Sequence, residues 1–294
     1  MTMILLETVA LSLALIFVLV HIRRRPDAGT YVARMALVSL AAWAAEESAI
    51  RWYHFYSYSP VWKLFLGQVP VMVIIVWTYV IHSAWDLGAQ VMHPGRRWVP
   101  LLAAAIILTD AVAIETVAVN AAAWSWQRPG IFGVPPIGLL GWAFFAFFCL
   151  WILEARRSKR IGYGDLLLLA VPVIGTHGLL WLAWWGGFRW LVDFNLQAST
   201  VPAAWLLSVI LVRVIAGRRL GEKVARSTLL LRLPAAVVFY FYLINLAMKT
   251  TGLVWLVALL TAWAPPYLVM MAQQYRIFGG MGSEKPVNGQ SSPG

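Results

Sequence analysis

Residues 98–122 read WVPLLAAAIILTDAVAIETVAVNAA, and this run decides the fold. Only Asp110 and Glu115 are charged in it. As a helix it rises about 37 Å at 1.5 Å per residue, enough to cross a hydrocarbon core of about 30 Å. Working outward, runs of the same kind fall at approximately Met3–Ile22, Tyr31–Ile50, Val61–Trp85, Ile131–Leu153, Leu166–Phe188, Phe194–Ile215, Leu229–Ala247 and Thr251–Ala272. The last two are separated only by the tight turn that Thr250-Thr251-Gly252 allows. The chain has 294 residues, 61% hydrophobic and 12% charged, against roughly a quarter charged in soluble domains. The expected class is all-α, a polytopic transmembrane bundle of eight or nine spans. One domain covers residues 1–278, and the Gly/Ser/Pro-rich stretch 279–294 reads as a disordered tail.

The net charge of +11 resolves into topology. Loops after the odd-numbered runs hold Arg23–Arg25, Arg96, Arg97, Arg156, Arg157, Lys159, Arg160, Arg218, Arg219, Lys223 and Arg226, and the tail adds Arg276 and Lys285. The other side holds only Arg51, Lys63, Arg128, Arg189 and Lys249. The basic side faces the cytoplasm, so the N-terminus is expected outside and the tail inside. Short intervening loops do not make the basic folded surface that nucleic acid needs. The first run lacks a basic stretch before it and a small-residue cleavage site after it, so it reads as an uncleaved span. The expected location is a multi-pass protein of a prokaryotic plasma membrane.

One cysteine, Cys149, excludes internal disulfides and Cys-based metal sites. No paired-histidine motif, Walker A loop, dinucleotide fingerprint or Asp-rich diphosphate motif occurs. No metal and no cofactor is expected. The acids discriminate better. Glu7, Glu46, Glu47, Asp110 and Glu115 fall inside spans, where an ionisable group costs about 2.5–3.5 kcal/mol and usually faces the bundle interior. The predicted topology gathers them in the outer half. Adjacent Glu46 and Glu47 point about 100° apart on a helix, so one of them faces a site and the other pairs with Arg51 or Lys63 or snorkels outward. Asp110 and Glu115 diverge likewise. Trp52, Trp62, Trp98, Trp124, Trp126 and Trp190 fall near span ends, where aromatic belts occur. Trp181, Trp184 and Trp185 sit inside the sixth run as candidates for lining a cavity. His177, mid-span after Thr176, is either a packed histidine or a substrate contact.

Two stretches resemble the integral-membrane carotenoid-biosynthesis family, which includes hydratases of terminal carotenoid double bonds of the γ-carotene and bacterioruberin type. The first is Tyr56-Ser57-Tyr58-Ser59-Pro60, then Gly67-Gln68-Val69-Pro70-Val71 and Trp77, preceded by Glu46 and Glu47. The second runs from Glu115 through Trp124-Ser125-Trp126, Gly130-Ile131-Phe132-Gly133-Val134-Pro135 and Gly141-Trp142. Thr116 stands where the family pattern has proline, and Gly138 where asparagine is common. The resemblance implies a cofactor-free, membrane-embedded enzyme acting on a lipophilic isoprenoid or carotenoid taken from the bilayer. Its chemistry would be protonation of a terminal C=C and addition of water. Glu115 is the expected proton donor, with Glu47 or Glu46 as partner and Asp110 as a further catalytic candidate. Tyr56, Tyr58, Trp77, Trp124, Trp126 and Trp142 are the expected substrate contacts, together with His177. A membrane terpene cyclase would use the same groups, and a lipid or ion transporter would use the acids as a relay.

Overall fold

The computed structural model of the chain describes residues 3–92, 97–191, 196–247 and 253–280. In lipid every backbone N–H and C=O must be satisfied within the protein, and helices achieve this segment by segment. The order is α1 (Met3–Arg24), α2 (Ala28–Tyr53), α3 (Val71–Met92), α4 (Val99–Asn120), α5 (Pro136–Ala155), α6 (Leu167–Ala183), a short α7 (Arg189–Leu191), α8 (Gln197–Arg218), α9 (Arg226–Ala247), α10 (Val254–Thr261) and α11 (Ala264–Gly280). Among the described residues, eight helical units are long and apolar enough to cross a membrane. The chain is a multi-pass membrane protein of the all-α class.

The centre of the bundle is α3, with 72% of its apolar window buried against 11% for that of α9. Helices α2, α4 and α5 close around it through Val38, Ala42, Ile81, Ala103, Ile107 and Phe145. Small residues at these contacts let helix backbones approach, the packing mode available where lipid supplies no hydrophobic drive. Exposed Leu, Phe and Trp, such as Leu15, Leu206, Phe241 and Trp255, fit a lipid-facing surface. At the basic end, buried Arg34 of α2 donates to Asp165 (2.7 Å) and to the carbonyls of Arg156 and Lys159 (2.9 Å each), tying the α5–α6 loop to the bundle.

Three stretches depart from the expected spans. Residues 61–70 were expected to begin the third span. Instead β2 (Phe65–Leu66) and β3 (Val69–Pro70) form a hairpin, and the helix starts at Val71. Gly67 turns it at φ +65°, a conformation suited to glycine, and Pro70 cannot donate to a preceding turn. Residues 131–135 likewise form a loop, with Phe132 and Gly133 at positive φ and Pro135-Pro136 starting α5. The last span is broken between α10 and α11, where Pro265 and Pro266 interrupt the helical ladder. The Thr250–Gly252 turn and residues 281–294 of the expected tail lie outside the described residues, and α11 itself runs to Gly280.

Candidate functional site

Two tripeptides with matching alternation build the site. Helix α2 ends at His54, whose left-handed backbone (φ 50°) redirects the chain into β1 (Tyr56–Tyr58). Helix α4 ends near Asn120 and the chain turns into β4 (Trp124–Trp126). These strands pair antiparallel in the register Tyr56↔Trp126, Ser57↔Ser125, Tyr58↔Trp124. A strand alternates faces residue by residue, so the two serines are exposed together and the four aromatic rings turn inward together. Ring centroids of Tyr56 and Trp126 lie 4.7 Å apart, and those of Tyr58 and Trp124 5.7 Å.

Beneath this aromatic lid lies a cavity of about 70 Å³, lined by Glu46, Glu115, Tyr56, Tyr58, Trp77, Trp124, Trp126 and Trp142. Its remaining walls are mostly small or apolar. Ala42, Ala45 and Ala49 of α2 and Gly138 and Gly141 of α5 leave the space open. A Cβ at Gly138 would stand 2.5 Å from the Trp126 ring, so glycine there lets the indole lie across α5.

Each carboxylate takes three hydrogen bonds. Glu46 accepts from the Tyr56 hydroxyl, from the Tyr58 hydroxyl (3.0 Å) and from Trp77 Nε1 (2.8 Å). Glu115 accepts from the indole N–H groups of Trp124 (2.8 Å), Trp126 (3.1 Å) and Trp142 (2.7 Å). The two sets differ in kind. An indole N–H only donates, whereas a phenol donates and accepts. A protonated Glu46 therefore has hydroxyl acceptors at hand, whereas the O–H of a protonated Glu115 would find no acceptor among its three indole partners. The Tyr56 and Tyr58 hydroxyls titrate well above the usual phenol range, first because of burial and then because of Glu46, with Glu115 adding to the effect.

Three candidate residues lie elsewhere. Glu47 points to the β2–β3 hairpin, accepting from Gln68 N–H (2.7 Å) and from Arg51 Nε (2.6 Å). A side chain at Gly67 would collide with this carboxylate. Asp110 pairs with Arg232 of α9 (2.5 Å), which also donates to Ser83 Oγ (2.8 Å) and the Tyr267 hydroxyl (3.2 Å). His177 is bonded to Ser48 Oγ (2.8 Å) and the Tyr53 hydroxyl (2.9 Å); its neighbour Thr176 lines the cavity. Glu7 accepts from Lys63 N–H (3.0 Å). Trp181 and Trp185 are 60% and 56% exposed and face outward, which corrects the expectation that they line a cavity; their helix turns the opposite face to its neighbours. The sequence does carry a signal for the alanines of α2: their i, i+3, i+7 spacing, with Glu46 at i+4, marks one helical face. Among the described residues no group of three or more His, Cys, Asp and Glu is placed to hold a metal ion.

Fold and cavity together define a class: a polytopic helical membrane protein with two aromatic-bonded carboxylates in one pocket between its helices. A model of the carotenoid biosynthesis protein family matches residues 1–182, a stretch containing every residue that lines the cavity. The chain belongs to that family. No curated protein and no solved structure matches it.

Proposed function

We propose that the chain is a cofactor-free hydratase of a terminal isoprenoid double bond, with the substrate entering from the bilayer. The observation that carries this reading is the pair Glu46 and Glu115, in one aromatic cavity with chemically different partners. Alkene hydration needs an acid, a shielded cation and a base for the incoming water. Glu46, protonated and bonded to two hydroxyls, gives its proton to the less substituted alkene carbon, directly or through Tyr58. The π electrons form the new C–H bond and leave a tertiary cation. Faces of Trp126, Trp124 and Tyr56 meet that cation, and the Glu115 carboxylate stabilises it electrostatically. Water adds to the cationic carbon and loses a proton to Glu115. Return of that proton to Glu46 restores the site, and the net change is addition of one water.

This assignment reverses the roles expected from sequence, where Glu115 was the donor. The reason is the donor-only character of its three partners. The test is expression in a carotenoid-producing host with mass analysis of extracted pigments and lipids. A product heavier than its precursor by one water supports hydration. A product of unchanged mass means that the cation loses a proton instead, as in a cyclase. Unaltered pigments and lipids would contradict an enzymatic role.

A further inference from the structure

A second cavity, of about 250 Å³, is lined among others by Arg25, Asp27, Tyr31, Arg34, Asp86 and Arg157. It lies toward the other end of the bundle. Arg34 precedes Glu46 by twelve residues on α2, and Asp86 follows Trp77 by nine on α3, distances of about 18 and 14 Å along the helices. The proposed reaction uses none of these residues.

The cavity's polar groups are unevenly matched. Arg34 is committed to Asp165 and two carbonyls. Asp86 is committed as well, one oxygen to His21 (2.8 Å) and the other to Arg25 (2.9 Å). Arg25 and Arg157 are different. Each guanidinium carries five N–H donors, yet Arg25 donates to a single carboxylate oxygen of Asp86, and Arg157 to one of Glu154 (3.2 Å). Each is also fixed against an aromatic face, Arg25 over Tyr31 (4.4 Å) and Arg157 over Trp85 (4.8 Å). Both keep about a third of the side chain exposed, 30% and 28%. Tyr31, on the same wall, is 3% exposed, and its hydroxyl has no hydrogen-bond partner among the described residues. The wall thus holds two pre-oriented guanidinium forks and an unmatched hydroxyl, with donors in excess of acceptors.

We infer that this cavity binds a phosphate group through Arg25, Arg157 and Tyr31. Guanidinium forks match the oxygens of phosphate in geometry and charge. Basic pockets between helices at the cytoplasmic side of a bundle receive lipid headgroups, and this end carries the arginine-rich loops. Asp27 on the same wall weighs against a dianion and favours a singly charged phosphodiester. A phospholipid headgroup and free phosphate share the chemistry, and the experiment separates them.

The test is native mass spectrometry of the full chain in detergent, titrated with dioleoyl phosphatidylglycerol or with dioleoylglycerol, which has the same chains and no phosphate. Retention of the phospholipid at least about tenfold tighter than the diacylglycerol is expected, given charge-assisted bonds to two arginines. Arg25→Gln with Arg157→Gln should remove that preference, and Tyr31→Phe, which keeps the ring, should weaken it severalfold. Displacement of the lipid by millimolar inorganic phosphate assigns the free anion as a ligand, and failure to displace it assigns the headgroup. If the double variant does not fold, Arg157→Gln and Tyr31→Phe carry the same comparison singly. Equal retention of the two lipids, or undiminished phospholipid preference in the variants, overturns the inference.

Discussion

The indole rings of Trp77 and Trp142 stack with centroids 4.0 Å apart, and their N–H groups serve different carboxylates, Trp77 bonding Glu46 and Trp142 bonding Glu115. The stack therefore joins the two halves of the site, one carried by α2 and α3 and the other by α4 and α5. Among the described residues neither acid has a salt-bridge partner. Aromatic groups do the positioning, and the same rings form the walls that would meet a hydrocarbon substrate.

Trp142→Phe separates the two duties of that residue. Phenylalanine keeps an apolar ring in the stack and removes the N–H to Glu115. A hydrogen bond to a charged group contributes about 1.5–3 kcal/mol, so turnover should fall roughly tenfold to a hundredfold with expression unchanged. Initial rates in membranes containing wild-type and variant protein check this, and an unaltered rate would detach the Trp142 N–H from function.

Gly138→Ala tests the close approach of α5 to the lid. The added methyl would meet the Trp126 ring at 2.5 Å, so the indole must move off Glu115 or the helix must shift. Lower turnover is expected, together with a change in tryptophan emission. Gly178→Ala, with open space around it, is the control and should behave as wild type.

Asp110→Ala would leave Arg232 without its counter-ion while its guanidinium stays largely buried, 10% exposed. Breaking a buried pair on one side costs about 3–5 kcal/mol. The lower end is expected because Asp110 is 23% exposed. The denaturation midpoint in mild detergent should drop, and Asp110→Ala with Arg232→Met should recover much of the loss. No recovery would mean that the pair is not what Asp110 contributes.

Topology offers an independent check. Reporter fusions in the Arg156–Arg160 loop and at Gly130 should report opposite sides of the membrane, with the arginine-rich loop cytoplasmic. The same side for both would break the arrangement on which the outer position of the site depends.

The spans were legible because hydrophobic length is a local signal, as in residues 98–122. Their ends were less so where an apolar stretch is not helical. Residues 61–70 read as membrane-spanning by composition, and only Gly67 and Pro70 hinted at the hairpin. The Tyr-Ser-Tyr and Trp-Ser-Trp tripeptides were singled out by resemblance, but their pairing joins positions nearly seventy residues apart, which no local pattern encodes. Helical geometry separated Glu46 from Glu47 without saying which turned inward. The difference lies in the hairpin, whose Gln68 N–H and turn at Gly67 meet Glu47. The tie between Asp110 and Arg232 is equally long-range, and an arginine inside an apolar run gives no sign of its partner.

The most direct measurement compares Glu46→Gln and Glu115→Gln in a carotenoid-producing host, scoring hydrated product per unit of inserted protein. Glutamine keeps the shape and loses the transferable proton. A lost general acid lowers turnover by about 10²–10⁴-fold, and that loss is expected for Glu46→Gln. Glu115→Gln should also be severely impaired, because glutamine presents only one acceptor oxygen to three indole donors and removes the charge facing the cation. Glu47→Gln should retain turnover and lose stability. Near-normal hydration by both Glu46→Gln and Glu115→Gln would contradict the two-carboxylate account.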